Sequence, residues 1–164
     1  MRWLEKEALG REIGLCVVGC LVLMFAYAFS VLGAAHLLKI DIPPVSGENI
    51  PIFVFSFPIK LIVVVFIEEL IFRLPLAIVV EKKWSIAKVL ASALVLSAIF
   101  GVLHGSIHHI FIQGAEGFIC SVLFLKCGGL QGNYLKAVAV TTTTHFLFNA
   151  MVIGIAVVGG ATSI

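Results

Sequence analysis

Charge is what this sequence has least of. Of its 164 residues only 12% are Asp, Glu, Lys or Arg, whereas 61% are hydrophobic. Water-soluble domains are nearer to about 45–50% apolar and about 25% charged. A chain this short has too little interior to hide so much apolar surface. An ordinary soluble domain is therefore excluded, and lipid is the natural solvent. Basic residues are scattered as well as few: 11 Lys and Arg against 9 Asp and Glu leave a formal charge of +2. No basic block of the kind that grips nucleic acid is present, so the expected partner is the bilayer and not nucleic acid. Cysteine is sparse too. Cys16, Cys20, Cys120 and Cys127 lie in or beside apolar stretches without a close metal-type pair. They read as small buried hydrophobes, not as a disulfide framework.

What the chain has in abundance is uninterrupted apolar sequence. The runs Ile13–Leu38, a stretch within Ile52–Val80, Ile86–Leu103, Ile110–Leu125 and Ala137–Val158 predict an all-α, multi-pass transmembrane bundle of about five spans. They form one integral-membrane unit over residues 1–164. The first run exceeds the ~7–15-residue core of a signal peptide, so a retained helix is expected. Ahead of it, "MRWLEKEALGRE" predicts a short amphipathic helix at the interface with Trp3 as its anchor. Pro43, Pro44, Gly47 and Pro51 mark a loop before the second run, and Pro58 or Pro75 is expected to bend or divide that run. "EKKWS" reads as a polar loop and "KCGGLQGNYLK" as a glycine-rich turn. With five spans, Arg2, Lys6, Arg11, Lys82, Lys83, Lys88, Lys126 and Lys136 all fall on one side, with little beyond Lys39 on the other. The positive-inside rule then places the N-terminus in the cytoplasm.

Against this background the polar residues inside the apolar runs stand out. Residues 63–80, "VVVFIEELIFRLPLAIVV", hold Glu68, Glu69 and Arg73. Each charge at a bilayer centre costs about 2.5–3.5 kcal/mol on insertion scales, so something must offset it. Glu69 and Arg73 are one helical turn apart and can pair. Glu68 lies about 100° around the helix from Glu69, so one acid can be neutralised while the other stays free. His104 closes the third run, and His145 and Asn149 share a face of the last. Such a set, brought together in the core of about residues 63–158, suits two chemistries. A carboxylate and a histidine can activate water while a second imidazole and an amide stabilise an oxyanion, which is peptide hydrolysis without a covalent intermediate. Alternatively, Glu68, His104 and His145 can ligate a catalytic zinc with water as fourth ligand. Helix-to-helix pairing without chemistry is the structural alternative. Proton or cation transport by Glu68, His104 and His145 is another, although no inverted repeat supports it. His108 and His109 read as loop or interfacial residues, with metal binding as the alternative, His36 as an interfacial end-of-helix residue, and the "TTTT" of Thr141–Thr144 as packing residues that bond to their own helix or a neighbour.

"EELIFR", "FGVLH" and "HFLFN" resemble, in order, the EExxxR, FxxxH and HxxxN motifs of the CPBP intramembrane proteases, the family of the CAAX prenyl endopeptidases and of relatives linked to bacteriocin processing and immunity. "EGFICSVLFLKCGG" is similar to the helix that leads into the family's third motif. The resemblance implies an intramembrane endopeptidase acting on a membrane-embedded or lipid-anchored peptide. Glu68 would activate water with His104, Glu69 and Arg73 would set the geometry and charge of their helix, and His145 and Asn149 would stabilise the oxyanion. Both metal-dependent and metal-free mechanisms have been described for such proteins. The salt-bridged carboxylate favours no metal here, with zinc as the alternative. A non-enzymatic immunity or peptide-binding protein would keep the same motifs. Leu74 and Pro75 replace the glycine that usually follows the motif arginine.

Overall fold

The computed structural model describes residues 2–37, 50–104 and 107–161. It is all-helical over those residues. A one-turn α1 (Arg2–Glu5) is followed by α2 (Arg11–Leu37), α3 (Ile50–Glu81), α4 (Ile86–Leu103), α5 (Gln113–Lys126) and α6 (Tyr134–Ala161). Short 3₁₀ turns at Ile107–Ile110 and Gly129–Gln131 flank α5. The expected spans, about five by length, correspond to α2–α6. Among the described residues three stretches are long and apolar enough to cross a membrane: Arg11–Val31, Ile86–Leu103 and Tyr134–Ile155. α3 has the length, at 32 residues, but carries Lys60, Glu68, Glu69 and Arg73. α5 is the short one; at 14 residues it runs about 21 Å, less than the ~30 Å hydrocarbon core.

That shortness fits its position, since α5 is enclosed by the others. Phe124 and Leu125 of α5 pack with Leu76 and Ala77 of α3, Val89 and Ala93 of α4, and Ala137 of α6. On its other side Cys120 meets Met24 of α2 and Phe148 of α6. Two glycines allow the approach of α4 to its neighbours. A Cβ on Gly101 would lie 2.6 Å from the Ile110 backbone, and one on Gly117 would lie 3.1 Å from the Phe100 ring. α2 instead turns Leu15, Val18, Val22, Leu23 and Phe29 outward, as a lipid-facing helix must. All four cysteines are free, with Cys120 and Cys127 buried.

Three expectations need correction. The lead-in is helical only over Arg2–Glu5, and residues 6–10 are irregular, with Gly10 at φ +50. The reason is tertiary: Lys126 Nζ donates to the carbonyls of Trp3 and Lys6, and the Ala8 amide donates to the Lys126 carbonyl. These bonds replace the ones a longer helix would make. Second, neither Pro58 nor Pro75 divides α3, which runs unbroken to Glu81. Proline-interrupted bonding is tolerated in membrane helices where neighbouring helices cover the freed groups. Third, Pro51 lies in the first turn of α3, a position that suits proline, and not in the loop. The rest of that loop, residues 38–49, lies outside the described residues, as do the side chains of His36 and His108. His109 belongs to a 3₁₀ turn in the connection between α4 and α5, and its Nδ1 lies 2.6 Å from Gln113 Oε1. Thr141, Thr143 and Thr144 donate to carbonyls of their own helix.

Candidate active site

Four helices send polar side chains to one place. α3 supplies Glu68, Glu69 and Arg73, its adjacent acids diverging because successive helical residues point about 100° apart. Glu69 is the buried one, at 2% exposure, and its partners occupy both of its oxygens. Arg73 Nε donates to Oε2 at 2.8 Å and Nη2 donates to Oε1 at 3.0 Å, a bidentate fork. The remaining arm of the guanidinium, Nη1, donates to Ser121 Oγ at 2.7 Å, and Ser121 in turn donates to the Gly117 carbonyl. Thus the arginine is fully engaged without reaching Glu68.

Glu68 has a different setting. It is 27% exposed, and its carboxylate stands between two imidazoles, with Oε1 3.9 Å from His104 Nε2 and Oε2 3.8 Å from His145 Nε2. Both separations exceed a direct hydrogen bond. Each ring is held from behind. His104 caps α4, and its Nδ1 lies 2.8 Å from the Phe100 carbonyl; His145, 3% exposed, has Nδ1 3.1 Å from Glu69 Oε1. Those acceptors require the proton on Nδ1, which turns both Nε2 atoms toward Glu68. Phe100 fixes the ring planes, its centroid lying 4.4 Å from that of His104 and 6.0 Å from that of His145. Asn149 follows His145 by one turn on α6 and is half-buried.

Five of the six residues singled out from the sequence therefore share one contact network; Asn149 stands one turn beyond His145, outside those contacts. Two members were missed. Ser121 completes the shell of Arg73, and Glu116 of α5, 7% exposed, places Oε1 3.3 Å from His145 Nε2. A signal for Glu116 existed: it is the one acid in the apolar run Ile110–Leu125, and the cost that drew attention to Glu68 and Glu69 applies to it equally.

Glu68, His104 and His145 are donor types that suit zinc, and outward-tied Nδ1 protons are usual for metal-bound histidine. As placed, however, no three His, Cys, Asp or Glu among the described residues are arranged to hold one ion. No catalytic step below is routed through a metal.

The site's depth follows from helix geometry. Glu7 and Lys136 pair at 2.7 Å, and Lys126 meets the N-terminal segment, so these charges mark one end of the bundle. His145 lies 11 residues beyond the start of α6 at Tyr134, about 16 Å along the axis. Such a network lies well inside the bundle and not at its rim.

No curated protein and no solved structure matches the chain. A family model does, described as type II CAAX prenyl endopeptidase Rce1-like, over residues 50–151. The match covers more than half the chain and spans every residue of the network. Its apolar helices and that match together make this an integral membrane protein, and the chain belongs to the type II CAAX prenyl endopeptidase Rce1-like family.

Proposed function

We propose that this protein is an intramembrane endopeptidase that hydrolyses a peptide bond in a membrane-embedded or lipid-anchored substrate, with Glu68 as the group that activates water. The observation that carries the reading is the unequal treatment of two adjacent acids. Glu69 is held by Arg73 and His145, whereas Glu68 is partly exposed between two imidazole nitrogens and makes neither of those contacts a direct hydrogen bond. Its lone pairs remain available to a reacting water.

In this mechanism Glu68 accepts a proton as the water oxygen attacks the scissile carbonyl, with His104 Nε2 orienting the water from the other side. The new C–O bond places negative charge on the carbonyl oxygen. His145, as the imidazolium that keeps its Nδ1 proton on Glu69, donates to it from Nε2, as does the Asn149 amide. When the C–N bond breaks, Glu68 returns its proton to the leaving nitrogen, giving a carboxylic acid and a free amine, and the acid's proton then passes to the amine or to solvent. Glu69 and Arg73 touch no reacting atom and keep His145 oriented. The basic end of the bundle faces the cytoplasm in this reading, by the positive-inside rule.

The test is cleavage in liposomes, using purified protein and a pool of membrane-anchored peptides with products read by mass spectrometry. Wild type is compared with Glu68→Gln and His104→Ala, each with and without a chelator. Products formed by wild type alone are expected, unaffected by chelation. Loss of products on chelation would instead assign Glu68, His104 and His145 to a metal. Equal cleavage by the variants would overturn the assignment, and absence of any product would move the protein to the peptide-binding or immunity class.

A further inference from the structure

Glu116 has no task in the mechanism above, yet its placement is unusual. It stands in the first turn of α5, where an acid ordinarily faces water or caps the helix. It does neither. The side chain is buried, α5 has no side-chain cap bond, and the carboxylate turns inward to His145. Its Oε1 has no hydrogen-bond partner among the described residues, although His145 Nε2 is 3.3 Å away. The other walls around it are Met24, Tyr27, Ala28, Ile112, Ile119 and Phe148, lining a crevice of only about 10 Å³. That is room for about one water at most. A carboxylate in such company is costly unless the imidazole beside it completes the bond.

We propose that Glu116 is a positioning residue of the site, holding the Nε2 edge of His145 while Glu69 holds the Nδ1 edge. An imidazole gripped at one nitrogen can still swing or flip; gripped at both, it presents one face and one proton arrangement. Nε2 lies between Glu116 at 3.3 Å and Glu68 at 3.8 Å. The edge that donates to the oxyanion is therefore fixed in the cleft between α3 and α5 before substrate arrives. Around the ring stand Glu68, Glu69 and Arg73 of α3, His104 of α4 and Glu116 of α5. Among these only Glu116 approaches Nε2 closely without a competing hydrogen bond of its own. The kinetic consequence rests on the endopeptidase reading, whereas the grip on the ring does not.

The experiment uses the full chain in detergent micelles with ¹⁵N-labelled histidine, the His145 signals being assigned by their loss in His145→Gln. Glu116→Gln is nearly isosteric but changes the partner of Nε2. It is expected to shift the Nε2 resonance while leaving Nδ1, which Glu69 holds, in place. Glu116→Leu removes the partner, and its kcat is expected to fall about 100-fold, the cost of a misplaced catalytic group, with KM nearly unchanged. Glu116→Gln should restore most of that loss. An unmoved Nε2 resonance in Glu116→Gln would overturn the proposal, even if Glu116→Leu fails to fold. So would variants that lose thermal stability but keep wild-type kcat. Should wild type cleave nothing, the endopeptidase reading fails while the shifted Nε2 resonance still establishes the grip.

Discussion

At the basic end of the bundle, Lys126 sends its ammonium to the carbonyls of Trp3 and Lys6 and sits 4.7 Å from the Trp3 ring centroid, while Lys136 pairs with Glu7. Deeper in the same bundle, Arg73 forks onto Glu69 and reaches Ser121. Both clusters tie distant stretches of chain together by charge-assisted bonds, but their surroundings differ. Lys126 is buried as well, but its partners are neutral backbone carbonyls, which are not left charged without it. Glu69 and Arg73 are a charged pair, so each depends on the other. The first cluster fastens a terminus; the second fixes the shape of a reactive site and leaves Glu68 aside from it.

Breaking the deep cluster should have the larger effect. Arg73→Met leaves Glu69 buried and uncompensated, and the expected destabilisation is about 3–5 kcal/mol, read by thermal unfolding in detergent. Arg73→Lys keeps the charge but loses the planar fork, so it should recover only part of that loss. Breaking the shallow cluster should matter less. Lys126→Met removes bonds to the Trp3 and Lys6 carbonyls, worth about 1.5–3 kcal/mol for a charged donor. The effect should be local, seen as faster proteolysis or hydrogen exchange over residues 3–10 with α3 and α6 unaffected. If Lys126→Met disturbed α3 as much as Arg73→Met does, the contrast between the clusters would be wrong.

The smallest effect concerns Glu7. Its hydrogen bond to Lys136 lowers its carboxyl below the ordinary 4.5, against the opposing influence of desolvation. A depressed carboxylate contributes to stability above its ordinary value, and the contribution is lost as pH falls through the lower folded value. Protection of the N-terminal segment should therefore hold at pH 6 and weaken below pH ~4. High salt should weaken it modestly, because the pair is only partly buried. Glu7→Gln should abolish the pH dependence without touching the deep cluster.

Much of this was legible in the residues. The i,i+4 spacing of Glu69 and Arg73 announced their pair, and the divergence of adjacent helical positions announced that Glu68 would be left out of it. His104 and His145 were recognisable because imidazoles are costly in apolar runs. What spacing alone could not tell was long-range. Glu116 belongs to no spaced motif, and its partner is 29 positions away on another helix. The irregular segment after α1 depends on Lys126, more than a hundred residues distant. The unbroken α3 shows the same limit in reverse: Pro75 reads as a helix breaker locally, but α3 continues through it to Glu81.

The most direct test of the central claim, that Glu68 and Glu69 divide chemistry from structure, is a side-by-side comparison of Glu68→Gln and Glu69→Gln for turnover and thermal unfolding. The account predicts that Glu68→Gln loses turnover by about 10²–10⁴-fold while melting like wild type. Glu69→Gln leaves Arg73 as an unpaired buried cation, so it should be destabilised by about 3–5 kcal/mol. Wild-type turnover in Glu68→Gln, or a Glu69→Gln protein as stable as wild type, would contradict it.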